Sequence, residues 1–309
     1  MSKNMGLNRP WLVAAWPGIS HVAMNAGYYL IAKLGMHVLA EYVPNGLFDV
    51  DYVDVEGGLI RTGHRPRSRF FVWIDPEQKH DIVVFIGEAQ PPLGKYTFCR
   101  RLIEYARELG VERVLTFAAI LTPMHPQDKS RVFGAATDTK GLEEAKRLGQ
   151  DILRDGQIGG LNGVLLGVAA EAGLRGTCLL GEVPPLFAQF GFPKASLAVL
   201  EVFRRIAGID LDFTELSEQV EAMDRELEKL AARMEASVDE QVSLEEGDYA
   251  PKPAEERRLS REEEQRIEEL FEKAKTDRSK AYELKHELDR LDVFKEYEDR
   301  FLDLFKKRE

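Results

Sequence analysis

The segment from Gly156 to Pro185, GQIGGLNGVLLGVAAEAGLRGTCLLGEVPP, constrains the fold of this chain more than any other. It joins a glycine-rich lead-in, an apolar helix, a break at Gly173 and a strand that ends in a carboxylate and two prolines. Leu161, Leu165, Val168 and Ala172 share one face at helical spacing, which predicts a helix from about Leu161 to Ala172. Gly163 and Gly167 lie one turn apart. Glycine inside a helix costs about 1 kcal/mol relative to alanine, so close packing or a ligand must compensate. Thr177 to Gly181 is apolar on both faces, as an interior parallel strand requires. Glu182 then stands at the strand's end, the edge where open α/β sheets place their ligands.

The glycine spacing, G-x-x-G-G-x-x-G, matches neither G-x-G-x-x-G nor a Walker loop, and no Lys-Ser/Thr follows. Lys140 to Arg154 reads as a helix and not as the strand that either motif needs. Glycines that stop one helix and start a tightly packed one are therefore expected, and not a nucleotide site.

Before this segment the chain alternates strands and helices. Trp11 to Trp16 reads as a strand, followed by a helix capped by Ser20 and running to Leu34, then a strand from Met36 to Val43. That β-α-β order predicts a parallel sheet. Phe48 to Ile60 and Ser68 to Asp75 alternate as antiparallel strands do, with Glu56-Gly57-Gly58 as a turn or bulge. Apolar strands at Asp81 to Ile86 and Val111 to Ile120 flank a helix from about Tyr96 to Leu109. Pro193 to Ala207 completes the body as a helix with proline at its first position.

Charge divides the chain. Through Ile209 there are 23 Lys and Arg against 21 Asp and Glu; from Asp210 there are 19 against 32, giving +2 and −13. Nucleic-acid binding needs a basic footprint, so it is excluded here. No apolar run reaches membrane-spanning length, and Trp11 to Trp16 is too short for a signal-peptide core. Two cysteines, Cys99 and Cys178, in apolar contexts fit a reducing cytoplasm and rule out a disulfide scaffold. The six histidines show no metal-ligand spacing, and neither metal nor cofactor is expected.

The acidic part has its own pattern. Leu216, Val220, Met223, Leu227, Leu230 and Met234 step 4-3-4-3-4, a heptad seam. A polar, proline-containing linker near 237–260 follows, then a second seam from Ile267 to Leu291 that Asp277 interrupts. The reading is an α/β domain over 1–212 and an acidic helical appendage over 213–309. The appendage is either a private hairpin or an oligomer-forming coiled coil, with Leu216, Val220, Met223, Leu227 and Leu230 as its interaction surface.

Candidate chemistry gathers at the sheet edge. Glu88 follows a central strand and Glu182 another; were those strands neighbours, the two carboxylates would meet and could do acid–base work. Hydrogen bonds to loop amides are the simpler role. Asn162 either donates to a ligand or caps its helix. His125, between Pro123 and Pro126, has no evident nucleophile to serve.

Four stretches together resemble the proteasome assembly chaperone two family. They are the first strand with Pro17-Gly18; Phe85-Ile86-Gly87-Glu88 with Pro91, Tyr105-Ala106 and Gly110-Val111; Gly159 to Gly163 with Leu165-Leu166, Gly173 and Leu179 to Pro184; and Ala195, Leu200, Gly208-Ile209-Asp210 and Leu216. The resemblance covers about Arg9 to Leu216. It implies a mainly parallel sheet with helices on both faces, a three-layer sandwich like that of nucleoside phosphorylases. It also implies a non-enzymatic, oligomeric assembly protein with a partner of proteasome-like type. The alternative is a protein or enzyme that takes a nucleoside-like or anionic ligand at the sheet edge. Archaeal relatives dock through a C-terminal hydrophobic-Tyr-any residue tail, whereas this sequence ends Leu304-Phe305-Lys306-Lys307-Arg308-Glu309. The C-terminal helices are therefore expected to serve oligomerisation or another partner.

Overall fold

A computed structural model describes residues 6–42, 46–49, 53–63, 65–240 and 259–306 of the 309. The described residues fall into two compact units. One comprises residues 1–124, 129–212 and 305–309, the other residues 125–128 and 213–304.

The first unit is built on an eight-stranded sheet. In chain order its elements are β1 (Trp11–Ala15), α1 (Val22–Lys33) and β2 (His37–Tyr42), then a separate hairpin of β3 (Val53–Glu56) and β4 (Leu59–Thr62). There follow β5 (Ser68–Trp73), β6 (Ile82–Gly87), α2 (Lys95–Glu108), β7 (Arg113–Leu121), β8 (Val132–Ala136), α3 (Thr139–Arg147), β9 (Asp151–Ile152), α4 (Gly160–Glu171), β10 (Arg175–Val183) and α5 (Pro193–Ala207). The strand order is β2-β5-β6-β1-β7-β10-β8-β9.

The four central strands β6, β1, β7 and β10 are mutually parallel, with Val13 beside Val84 and Leu115, and Leu179 beside Phe117. These are the runs apolar on both faces, and Val13, Val83, Val84, Val114, Leu115, Leu179 and Leu180 are all buried. Antiparallel pairing enters at the flanks, where β5 joins β6, β2 joins β5, and β8 joins β10. The expected β-α-β pair β1 and β2 thus runs in one direction but with two strands between.

Alternation along the strands separates two helical layers. Leu12, Ala14, Trp16, Val83, Phe85, Val114, Cys178 and Leu180 form one core cluster with Leu102 of α2 and Leu161 and Leu165 of α4. The opposite sheet face receives α1 and α5, which also pack on each other. Helices on both faces give the three-layer arrangement that the family resemblance implied.

Several local expectations need correction. Ser20 does not cap α1. It lies in a short 3-10 turn at φ 52°, and its hydroxyl donates to the Phe187 carbonyl at 2.6 Å. The helix expected over Lys140 to Arg154 ends at Arg147. Gln150 then turns back to donate to the Ala145 carbonyl, and Asp151–Ile152 adds an edge strand beside β8. Phe48 to Ile60 holds the expected turn, since Gly57 and Gly58 reverse the chain between β3 and β4; residues 46–49 are not strand, and 50–52 lie outside the described residues.

The second unit contains α6 (Thr214–Glu240), α7 (Arg261–Thr276), α8 (Ala281–Arg290) and α9 (Phe294–Asp303). Most of the expected linker, 241–258, lies outside the described residues, and 237–240 belong to α6. The second seam is a compact cluster of short helices. Asp277 leaves helical geometry and caps the next turn through Ser279, so α8 packs back on α7 and α9 on α8. Ile267, Phe271, Leu284, Leu288 and Phe301 fill its centre. Along α6, Leu216 is buried and Val220, Met223 and Leu227 are half-buried, while the side chains of Leu230 and Met234 lie outside those described. Tyr282 of α8 donates to the Gln219 side chain of α6 at 3.2 Å.

Candidate functional site

Parallel strands deliver their C-terminal ends to one edge of the sheet, and the loops after β6, β1, β7 and β10 meet there. Glu88 follows the last residue of β6 and Glu182 is the penultimate residue of β10, so both stand at this edge. They do not meet. Two strands, β1 and β7, separate β6 from β10, which at about 4.8 Å per strand leaves about 14 Å between the two strand ends.

Each carboxylate is instead bonded within the body. Glu182 is 2 % exposed. Arg131, one residue before β8, donates from Nε to Oε2 at 2.9 Å and from Nη2 to Oε1 at 2.6 Å, and the Thr122 hydroxyl donates to Oε1 at 2.6 Å. The Arg131 guanidinium, with help from Thr122 and against the effect of burial, holds the Glu182 carboxyl below the usual carboxylate range. Glu88 continues the β5–β6 ladder by one step. Its Oε2 accepts from the Arg67 amide at 2.7 Å, and its own amide donates to the Arg67 carbonyl at 3.0 Å.

Asn162 lies in the first turn of α4 but does not cap it. The N-cap is Gly159, without a side-chain bond, and Asn162 turns inward. Its main-chain carbonyl accepts from Thr116 at 3.3 Å, and its buried Oδ1 accepts no hydrogen bond among the described residues. The α4 start is clamped by Gln90, which accepts from the Leu161 amide at 3.1 Å and donates to the Pro17 carbonyl at 3.0 Å. Gln90 thus ties together the loops after β1 and β6 and the α4 N-terminus, a role the sequence alone did not signal.

Gly163 is where close approach is required: a Cβ there would stand 1.9 Å from the Ile158 carbonyl oxygen. The approach comes from α4's own lead-in and not from a neighbouring strand or helix. Gly167, in contrast, meets nothing within 4 Å. A cleft of about 330 Å³ opens beside this face of α4, lined by Ala135, Thr137, Leu153, Ile158, Gly163 and Leu166 among others.

Burial pushes both Cys99 and Cys178 thiols up to about 12. No cluster of three potential metal ligands occurs among the described residues. His125 is exposed, and its Nδ1 accepts from the Gln127 amide at 3.3 Å. No helix among the described residues is long and apolar enough to cross a membrane.

What the edge does present is apolar surface. Ile19 after β1, Leu93 after β6, and Leu186 and Phe190 after β10 are 42, 81, 71 and 66 % exposed. The first and last of these loops are held together, since Ser20 bonds the Phe187 and Ala188 carbonyls and accepts from the Phe192 amide. The sequence signal was available in Pro184-Pro185-Leu186, an apolar residue directly after the strand-ending prolines.

An eight-stranded mixed sheet between helical layers, with internally bonded carboxylates and an apolar rim, defines an α/β protein with a helical C-terminal unit. The chain belongs to the PAC2 family, whose model matches residues 12–231. The elements α7 to α9 lie beyond that match. The uncharacterized protein MJ1210 of Methanocaldococcus jannaschii is 28 % identical over 234 residues, 72 % of this chain and 84 % of the relative. Among solved structures the fold is similar to PbaB of Pyrococcus furiosus, described as an archaeal proteasome activator. That match has 24 % identity and a TM-score of 0.61, and covers 73 % of this chain and 94 % of the other. It is also similar to the proteasome-assembly chaperone homologue Rv2125 of Mycobacterium tuberculosis, at 24 % identity and TM-score 0.62, covering 71 and 94 %.

Proposed function

We propose that this chain is a non-enzymatic, homo-oligomeric interaction protein of assembly-chaperone type. In this reading it works in the cytoplasm on a proteasome-like partner. The observation that carries the reading is the contrast at the sheet edge. Glu182 is saturated by Arg131 and Thr122 and lies across two strands from Glu88, whereas Ile19, Leu93, Leu186 and Phe190 face solvent around them. An acid–base site needs adjacent, titratable groups; a protein-binding rim needs exposed apolar anchors with a polar surround. The names of similar solved structures, an archaeal proteasome activator and a proteasome-assembly chaperone homologue, support this choice of partner class. The division into a body over 1–212 and an appendage over 213–309 belongs to the same reading, with Phe305 of that appendage returning to the body. There the half-buried Val220, Met223 and Leu227 are read as a second contact surface; Leu216, expected among them, is buried, and the Leu230 side chain lies outside those described.

The test is co-elution with purified proteasome subunits from the same cell. Retention by the wild-type chain, lost in Leu186→Asp/Phe190→Asp, is the expected result; no complex with any proteasome subunit overturns the partner class. A second reading, a small ligand held by Glu88, Asn162 and Glu182, is favoured by the buried Asn162 Oδ1. It predicts thermal stabilisation by a nucleoside or small anion that disappears in Asn162→Leu.

A further inference from the structure

Glu88, Asn162 and Glu182, at the sheet edge, do not line the cleft beside α4. Its volume of about 330 Å³ lies within the roughly 300–1,000 Å³ typical of small-ligand sites. The cleft arises from the way β8 is covered. Gly134 and Ala136 face α3, since a Cβ on Gly134 would meet Ala145 and one on Gly141 would meet the Ala136 methyl. Side chains alternate along a strand, so Ala135 faces the α4 side. The helices packed on β8, α3 and α5, lie across the sheet from α4. Residues 153–158 cross on the α4 side and leave a channel. Ala135 floors it, Leu153 and Ile158 form one wall, and Gly163, Gly167 and Ala170 form the other.

Two features of the channel point to a ligand. The first is Gly167. Gly163 is demanded by the Ile158 carbonyl, but a Cβ on Gly167 would meet nothing within 4 Å. Glycine inside a helix is less stable than alanine, so Gly167 costs stability without relieving any contact of the chain's own. It keeps the α4 backbone bare where it lines the channel, as the close approach of a ligand requires. The second feature is charge. Arg154 is the one charged residue among the described lining residues; it is exposed, and its side chain makes no ion pair among the described residues. Asp155, the next residue, is exposed and does not line the channel. Leu153, Ile158 and Leu166 thus supply an apolar interior and Arg154 a single cation. We infer that the channel binds a small amphipathic monoanion, a straight-chain carboxylate whose chain lies along α4 and whose head is held by Arg154. The guanidinium fork matches a carboxylate with two parallel bonds. It matches a phosphate too, but one arginine with Asp155 beside it in sequence suits the lower charge.

The test is titration calorimetry of the full chain with octanoate, acetate, 1-octanol and octyl phosphate. Octanoate is expected to bind at a single site per chain, and acetate, which has the head alone, not measurably. Arg154→Gln is expected to weaken octanoate by about tenfold or more and to leave 1-octanol unchanged, because only a charge-assisted bond is lost. Gly167→Leu fills the channel and is expected to abolish octanoate binding. Its denaturant midpoint should not fall below the wild type, since the position is open and leucine is the better helix former. No octanoate binding, equal affinity in the wild type and either variant, or acetate bound as tightly as octanoate overturns the inference. Octyl phosphate bound more tightly than octanoate overturns the carboxylate assignment. Octanoate binding that survives Gly167→Leu but is lost in Asn162→Leu places the ligand at the sheet edge and overturns the channel.

Discussion

Arg131 grips Glu182 with two nitrogens, Nε 2.9 Å from one carboxylate oxygen and Nη2 2.6 Å from the other, across the β8–β10 boundary. The carboxylate is buried, while the arginine is 61 % exposed. Such a pair fixes the end of β10 and leaves the acid no capacity for proton transfer at neutral pH.

A pH signature follows from it. Arg131 first, then Thr122 and the Arg131 amide, depress the Glu182 carboxyl in the folded state. A depressed acid contributes stability above its unfolded value, about pH 4.3, and loses it as pH falls through the folded value. Urea midpoints measured from pH 7 to pH 3 are expected to fall in the wild type below about pH 4.3. In Glu182→Gln the midpoint should be lower at pH 7, and this part of the acid fall should be absent. An identical pH profile in the two proteins would show that the pair does not act on stability.

Gly163 and Gly167 are expected to respond oppositely to alanine. At Gly163 the methyl runs into the Ile158 carbonyl, and overpacking of this kind costs about 1–3 kcal/mol. At Gly167 the methyl meets nothing, and the gain in helix propensity is about 0.5–1 kcal/mol. Denaturant midpoints of the two variants, one below and one above the wild type, check both.

Phe305 is an integral part of the α/β unit. Its carbonyl accepts from the Val38 amide of edge strand β2 at 2.9 Å, its ring packs edge-on against Phe71 at 6.1 Å, and it is fully buried. Phe305→Ala is expected to destabilise this unit by about 3 kcal/mol, as large-to-small changes at buried aromatic positions do. Truncation after Asp212 is expected to leave a cooperatively folding α/β body with the same deficit. Calorimetry of both proteins reads the shift, and an unchanged melting temperature in Phe305→Ala would show that residue 305 does not contribute.

The α6 stripe is expected to matter for partners more than for folding. Val220 and Leu227 are half-buried, so Val220→Glu/Leu227→Glu should cost about 1 kcal/mol or less each. Retention of a proteasome-like partner, or the subunit number, is expected to fall in this variant. If both stay at wild-type levels, the stripe serves its own chain alone.

The sequence by itself determined the local and the periodic. Runs apolar on both faces marked the four central strands, because a strand buried on both sides has no polar face to show. Pro193 and Gly208 bounded α5, since proline lacks an amide to leave unbonded and glycine accepts the left-handed cap at φ 63°. The four motif stretches were enough to indicate the family. Only the tertiary structure decided which strands are neighbours. Nothing in Glu88 or Glu182 tells how many strands lie between them, because strand order is set by crossover helices and not by the strands' own residues. The Arg131–Glu182 pair spans 51 residues of chain, and no periodicity reaches that far. Nor does composition distinguish the buried Leu180 from the exposed Leu186, six residues apart; the first sits in the ladder between β7 and β8, the second in the loop just beyond it.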